Sequence, residues 1–385
     1  MEETEFVSRV KQIGGHAYVV GGWVRDRQMG ALGRDKDYVV TGVTENAFNA
    51  AFPGAFKTGR FPVYLLEIAR STCDVSLARS ETKTGRGYRG FDAAPSPHVT
   101  IERDLERRDT TVNAMAVDLE TGAFVDPYGG LEDLRNGVIR AVSERFADDP
   151  VRALRAARQA AQFSFRIEPG TIRLMAACRD ELADEPAERL ANELRLALSC
   201  HKPSVFFVCL DAAGLLDAVY PAILSPPGAD RDAFCRRMDA LDRAAALTER
   251  PEIRFAALAC GTAPQWSPLA RKLPRAWRHC ALFAESWRER AFETYDPDAI
   301  RDLTERLIRH PIGLDGFGAV ILSVCGQLPP LLERAREIEG AIQSVKASDA
   351  PDGLRGPRLG AWLRDRRNRA IAEIMDGAAS QPLNQ

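Results

Sequence analysis

The sequence predicts an α+β protein: a mixed sheet-and-helix region over residues 1–140, followed by helices to the C-terminus. Two observations carry that prediction. Short apolar, β-branched runs at 17–21, 37–41, 62–68 and 73–78 lie between turn residues, as strands do. Beyond about residue 140, apolar positions recur at three- and four-residue spacing among abundant Ala, Leu and Arg, which is helical. The 385 residues suffice for two or three domains, and 45% hydrophobic with 28% charged content supports ordinary buried cores.

Composition narrows the function. No apolar run approaches the roughly 18 residues of a membrane span. The start, Met-Glu-Glu-Thr-Glu, lacks a signal-peptide pattern, so a cytoplasmic location is expected. The eight cysteines form no Cys-x-x-Cys and no zinc-finger spacing, and read as reduced thiols and small hydrophobes. The five histidines include no His-Asp pair and no His-x-x-x-His, which argues against a histidine metal site. A net charge of −2 leaves nucleic-acid binding to local basic clusters. Two exist: Arg271, Lys272, Arg275 and Arg278, then Arg355, Arg358, Arg364, Arg366, Arg367 and Arg369. Each can equally be a solvated helix face with acidic partners.

The first strand, Tyr18-Val-Val, runs into Gly21-Gly22-Trp-Val-Arg25-Asp, and the second opens on Asp35-Lys36-Asp37. On an extended chain, i and i+2 point to one side, so Asp35 and Asp37 present their oxygens together, as a hard divalent cation such as Mg²⁺ requires. Gly21 and Gly22 let the backbone bend and aim N–H groups at an anion such as a triphosphate. Asp-x-Asp recurs at Asp230/Asp232 and Asp296/Asp298, where a solvated turn explains it, but only the first pair is flanked by strand-like runs. Thr44-Glu45 reads as a helix start. Residues 80–100, rich in Gly, Pro and Ser around Gly85-Arg-Gly-Tyr-Arg-Gly90, read as a long mobile loop or lid.

Arg107-Arg108-Asp109 through Asn113 forms a second dense cluster. Its arginines suit phosphate oxygens, and Asp109 and Asn113, four apart, share a face if helical. A capping box with solvated arginines is the plainer reading. Asp126-Pro-Tyr-Gly-Gly reads as a turn into a helix. Asp148-Asp149-Pro150-Val-Arg152 places a capping Asp and a first-turn Pro at a helix start, with Arg152 three residues beyond Asp149 on the same side. The carboxylate only accepts and the guanidinium only donates. Cytosine and adenine both offer an amino donor beside a ring-nitrogen acceptor, whereas guanine and uracil reverse that order. The pair would accept C and A and reject G and U, each buried mismatch costing roughly 1–3 kcal/mol. Alternatively, Asp149 only caps the helix and pairs with Arg152. Helix breaks are expected near 166–170, 200–203 and 225–230, and fraying over the last few residues.

In this order, these pieces resemble the bacterial class II CCA-adding enzymes, tRNA nucleotidyltransferases of the polymerase-β-like superfamily. Asp74, in Cys73-Asp-Val-Ser-Leu, sits where that family has a further acidic strand residue, and Ala187-Glu-Arg-Leu-Ala-Asn-Glu-Leu194 is similar to its neck motif. Similarity is strong over about 16–200; beyond, Gly353-Leu-Arg-Gly-Pro-Arg-Leu-Gly-Ala-Trp-Leu still looks like the family's tail. The resemblance implies a catalytic nucleotidyltransferase head over 1–140, a helical neck over 141–202 carrying the base template, and a tRNA-binding body and tail over 203–385. It implies two Mg²⁺ ions on Asp35, Asp37 and Asp74, a triphosphate on Gly21, Gly22, Arg25 and Arg108, and a ribose on Asp109 and Asn113. Asp149 and Arg152 would read the base, and Arg155 and Arg158 extend the nucleotide-binding set. Substrates would be CTP, ATP and tRNA.

Two departures stand out. Asp148 occupies the place of a family Glu that would steady Arg152, so a shorter arm would loosen selectivity. Where many relatives carry a His-Asp phosphohydrolase domain, this chain has Arg254-Phe-Ala-Ala-Leu-Ala-Cys260, which predicts no phosphohydrolase activity. A bacterial poly(A) polymerase, a C-only or A-only enzyme, and a catalytically idle RNA-binding paralogue are the alternatives. Phe56-Lys-Thr-Gly-Arg-Phe-Pro-Val-Tyr-Leu65 looks more like the CCA-adding version, and the intact acidic set argues against an idle paralogue.

Overall fold

The structure is a computed structural model that describes residues 1–385 except 34, 60, 86–89, 222–230, 263–265, 267–270 and 380–385, with backbone alone at 91–94 and 377–379. It contains two compact units, Met1–Glu193 with Val205–Val219, and Leu194–Ser204 with Tyr220–Gln385. The first unit therefore takes in both the expected head and nearly all of the expected neck.

The first unit is built on a seven-stranded mixed sheet. Its strands are β1 (His16–Val20), β2 (Asp37–Thr41), β3 (Phe56–Lys57), β4 (Val63–Ile68), β5 (Ser71–Leu77), β8 (Ala116–Asp118) and β9 (Phe124–Val125). They lie in the order β3-β4-β5-β2-β1-β8-β9. The four expected strands are present within a residue or two. On one face, α1 (Glu3–Gln12) and α3 (Glu45–Ala51) close an aromatic core of Phe6, Tyr38, Phe48, Phe52 and Tyr64, with ring centroids 4.8–5.5 Å apart. Thr44 caps α3 by accepting from Ala47 N at 3.2 Å, as the sequence predicts. Val20, Val39, Ala78, Ile101, Leu105, Ala114 and Ala116 form a separate apolar cluster.

Pairing register places the chemistry. β1 and β2 run antiparallel with Val20 opposite Asp37, so the second strand's first carboxylate lies beside the turn at Gly21. β2 and β5 run parallel with Tyr38 opposite Val75, which brings Asp74 level with Asp37. Lys36 turns away between the two aspartates: its Nζ donates to Glu3 at 2.7 Å and sits 4.8 Å from the centroid of the Trp23 ring.

Three expectations are corrected here. Much of 80–100 is an antiparallel hairpin, β6 (Arg79–Lys83) with β7 (Phe91–Pro95), pairing Arg79 with Pro95 and Lys83 with Phe91; its tip at 86–89 lies outside the described residues. The glycines that read as loop, 85, 87 and 90, lie between the two strands in sequence, and the strands themselves, Arg79-Ser-Glu-Thr-Lys83 and Phe91-Asp-Ala-Ala-Pro95, carry no apolar alternation to announce them. The segment after Asp109 is a 3₁₀ turn, Thr111–Asn113, rather than an α-helix. Near 166–170 the chain does more than break: β11 (Arg166–Ile167) pairs in parallel with β10 (Val138–Ile139). The expected break at 225–230 and the frayed end at 380–385 lie outside the described residues.

Helix α4 (Ile101–Glu106) precedes β8, and α5 (Gly130–Arg135), α6 (Val151–Phe163), α7 (Pro169–Ala177), α8 (Arg179–Leu182) and α9 (Ala187–Leu198) follow the last strand of the seven-stranded sheet. Asp126 accepts from Gly130 N at 2.7 Å and Leu131 N at 2.9 Å, which makes the expected turn into α5. The second unit is helical, with long helices Arg231–Leu247, Arg275–Trp287, Pro297–Arg309, Gly313–Cys325 and Pro357–Ala379. Arg254 is fully buried there and donates to the carbonyls of Leu198, Cys200, Ala245 and Thr248 at 2.7–3.2 Å. Among the described residues no single helix is long and apolar enough to cross a membrane.

Candidate active site

Gly21 ends β1 in the left-handed region (φ +72°), a conformation that costs a side-chain-bearing residue energy, and α2 (Gly22–Gln28) starts at the next residue. A Cβ on Gly21 would lie 3.2 Å from Arg108 Nη1, so glycine is also what lets that arginine approach the turn. Both glycines open onto a cleft of about 560 Å³ inside the first unit. Asp37, Arg107, Arg108, Asp109 and Asn113 line one side; Asp149, Arg152 and Arg155 at the start of α6, with Glu188, Arg189, Asn192 and Glu193 of α9, line the other.

Asp37 shows the electrostatics of the sheet edge. Desolvation raises its pKa, Arg108 opposes that, and the neighbouring Asp74 and Asp35 raise it further. Asp37 thus lies within electrostatic reach of both other carboxylates. Asp35 and Asp74 do not line the cleft, and among the described residues no three His, Cys, Asp or Glu side chains, these carboxylates included, are grouped so as to hold a metal ion by themselves. Mg²⁺ does not need one, because it keeps waters and substrate phosphates as ligands.

Arg108 fits an anion. Its Nη2 lies 3.5 Å from the buried Asp104, and its own buried Nε meets no acceptor among the described residues. Arg107 is committed to Asp104 at 2.7 Å and Glu81 at 3.1 Å. Arg25, assigned to the triphosphate on sequence grounds, is placed otherwise. It donates to Asp26 at 2.7 and 2.9 Å and to Asn113 Oδ1 at 2.5 Å, stacks on Phe163, and does not line the cleft. Its geometry suits orienting Asn113.

Asp109 is buried and saturated. Its Oδ1 accepts from Thr110 N at 2.8 Å and Asn113 Nδ2 at 3.2 Å; its Oδ2 accepts from Arg155 Nε at 2.8 Å and Gln159 Nε2 at 3.0 Å. Burial alone would raise its pKa, but Arg155 and these donors hold the carboxyl well below the ordinary range. Asn113 and Asp109 meet as expected, through the 3₁₀ turn. Arg155 lines the cleft, whereas Arg158 does not and is spent on Glu193 at 2.6 Å.

At the α6 start, Asp149 accepts from Val151 N at 3.2 Å, a capping role. It forms no ion pair with Arg152: Arg189 Nη2 holds both its oxygens at 3.0 and 3.1 Å, and Arg152 Nη1 donates to the Arg145 carbonyl at 2.6 Å. Asp148 does not steady Arg152 either, and faces Arg145 at 3.5 Å. Gln159, Glu188, Arg189 and Asn192 were not among the site residues expected from sequence. The i, i+4 spacing of Glu185, Arg189 and Glu193 and of Glu188 and Asn192 marks shared helix faces, but nothing local says which face meets α6.

The Poly A polymerase head domain family matches residues 17–140, and the family described as "Probable RNA and SrmB- binding site of polymerase A" matches 164–225. A "Multifunctional CCA protein" of Paracidovorax citrulli is 35% identical, the alignment covering 95% of this chain and 98% of the relative. Its counterpart in Pseudomonas putida is also 35% identical, over 94% of this chain and 100% of the relative. The chain belongs to the CCA-adding enzyme family. The relatives from Nitrosococcus oceani (41% identical, over 63% of this chain) and Chromobacterium violaceum (42%, over 68%) are matched over 61% and 66% of their own lengths, a little under two thirds. Among solved structures, the CCA-adding enzyme of Bacillus stearothermophilus in complex with CTP superposes with a TM-score of 0.65 at 25% identity, covering 97% of this chain and 92% of that one. The Thermotoga maritima CCA-adding enzyme complexed with tRNA superposes at 0.69 and 21% identity, covering 98% and 93%, and shares the fold. The expected α+β head with a helical remainder is thus the CCA-adding fold.

A second cleft, of about 610 Å³, lies within the helical unit, lined by Phe283, Asp302, Glu305, Arg306, Arg309 and His310. Asp302 is paired with Arg301 at 2.7 Å and Glu305 with Arg367 at 2.9 Å, so its acids are neutralised. The Phe283 and His310 rings lie 4.5 Å apart. Of the C-terminal basic cluster, Arg367 and Arg369 are paired with Glu305 and Asp365, each at 2.9 Å.

Proposed function

We propose that this protein adds or repairs the 3′-terminal CCA of tRNA, using CTP and ATP, releasing pyrophosphate and working without a nucleic-acid template. The observation that carries the proposal is one cleft with a carboxylate-bearing sheet edge and an arginine whose Nε meets no acceptor among the described residues on one side, and a carboxylate with a separate guanidinium on the other. The first arrangement suits phosphoryl chemistry and the second suits reading a base edge.

In this reading the tRNA 3′-hydroxyl attacks the α-phosphate of the bound nucleotide. Asp37 and Asp74, with Asp35 on the segment before β2, would hold two Mg²⁺ ions, which when bound lower the hydroxyl pKa and neutralise the leaving charge. Arg108 supplies donors to the triphosphate beside the Gly21 turn. Asn113, oriented by Arg25 and Asp109, faces the ribose, and Asp109 acts through its neighbours rather than by touching the sugar. Asp149 accepts the amino group of C or A while Arg152 donates to the adjacent ring nitrogen. The helical unit contacts tRNA, with the Arg306/Arg309 cleft as its candidate surface. A cytoplasmic location and the absence of phosphohydrolase activity belong to the same reading.

The test is incubation with Mg²⁺, single labelled nucleotides, and tRNAs ending before, within and after the CCA. Addition of C, C and A followed by termination is expected. Long adenylate tails would favour a poly(A) polymerase, and no addition under any condition would overturn the enzymatic reading.

A further inference from the structure

Asp149, extended in backbone, immediately precedes the cap of α6 and Arg152 lies in the first turn of that helix; both line the cleft, with opposite charges. Left to themselves, such groups pair. A direct pair would consume the acceptor and the donor that a base edge needs, and every incoming nucleotide would have to break it.

The structure keeps them apart from both sides. Arg189 Nη2 bridges the two Asp149 oxygens at 3.0 and 3.1 Å. The other Arg189 amino group, Nη1, donates to Glu185 Oε2 at 2.7 Å, and the Glu185 side chain is 1% exposed, which fixes the guanidinium to α9 and its approach. Arg152 is drawn the other way, to the Arg145 carbonyl at 2.6 Å. A carboxylate has about four acceptor positions. Arg189 takes one on each oxygen and Val151 N takes another on Oδ1, which leaves Oδ2 able to accept from a base amino group.

We propose that Arg189 is a positioning residue for nucleotide selection: it spaces Asp149 from Arg152 and so keeps the template pair from quenching itself. The inference rests on the proposed nucleotide addition and concerns the same cleft. Arg189 need not touch the nucleotide; it acts by occupying the side of Asp149 that would otherwise turn to Arg152.

The experiment measures kcat and KM for CTP and ATP with the full-length protein, on tRNAs lacking CCA and lacking only the final A. Wild type, Arg189→Gln, Asp149→Asn and the double variant are compared, with thermal melting and tRNA binding recorded for each. Arg189→Gln is expected to raise KM for both nucleotides at least tenfold and to leave kcat within about threefold, because the pair must be separated before binding. The double variant is expected to resemble Asp149→Asn alone, since that substitution removes the charge that would pair with Arg152. Should Arg189→Gln melt out of the assay range, Glu185→Gln, which frees the far end of Arg189, is expected to raise both KM values in the same direction by a smaller factor. Unchanged KM values, a loss confined to kcat, or strictly additive effects would overturn the inference. No addition by wild type would instead overturn the functional reading and this inference with it.

Discussion

Asp109 is a buried residue of the cleft whose carboxylate is taken up by the protein's own donors. Four donors surround it, and its carboxyl is held well below the ordinary range by Arg155 and the hydrogen bonds that outweigh burial. Asp109→Asn should cost roughly 2–3 kcal/mol, the scale of a hydrogen bond to a charged group, read by chemical denaturation at pH 7. A depressed folded pKa means that this stability is present above the unfolded value near 4 and is lost as pH falls through the folded one. The gap between wild type and variant should therefore be full at neutral pH and shrink as the pH drops below about 4. Asp37 is a different case: burial, with Asp74 and Asp35, raises its pKa against the opposing pull of Arg108 and Arg155. Asp37→Ala should reduce nucleotide addition at least about a hundredfold and leave tRNA binding unchanged in a filter assay. Gly21→Ala combines left-handed strain with the 3.2 Å approach to Arg108, and should raise KM for both nucleotides and lower stability by about 1 kcal/mol or more, read by nucleotide titration and chemical denaturation.

At the scale of elements, what was legible in the sequence was what is encoded locally. The strands at 16–20, 37–41, 63–68 and 71–77 alternate or run apolar between turn residues, and the Thr44 cap lies three residues from the N–H it satisfies. The 79–95 hairpin was not legible, because its two strands carry no apolar period and are specified by pairing with each other, while the glycines between them signal only a loop. The Asp149–Arg189 contact spans 40 positions and joins elements whose packing no local signal reveals. Of the residues expected from motifs, Gly21, Gly22, Asp37, Arg108, Asp109, Asn113, Asp149, Arg152 and Arg155 line one cleft, Asp35 and Asp74 do not, and Arg25 and Arg158 are drawn off by partners, Asn113 and Glu193, that only the fold brings near. The hairpin is tied to the cleft through Glu81, which receives Arg107 at 3.1 Å and Arg79 at 2.9 Å. Shortening it is accordingly expected to impair the A step before the C steps, read from the ratio of products on tRNA ending in CC.

For the whole molecule, the near-neutral net charge of −2 leaves RNA affinity to patches. tRNA binding should weaken steeply with salt, and reversing Arg306 and Arg309 to Glu should lower both the affinity and the salt slope, by about one unit for each phosphate no longer neutralised. An unchanged slope would remove that cleft from the tRNA surface. The central claim is that one cleft in the first unit both transfers the nucleotide and selects it, and the most direct test is single-turnover addition of each of the four nucleotides, one at a time, by wild type and by Arg152→Ala with saturating Mg²⁺. The account predicts that wild type accepts C and A and rejects G and U by roughly five- to 160-fold for each mispaired group, about 1–3 kcal/mol, and that Arg152→Ala loses most of this discrimination at an unchanged Mg²⁺ requirement. Discrimination left intact in Arg152→Ala would contradict it.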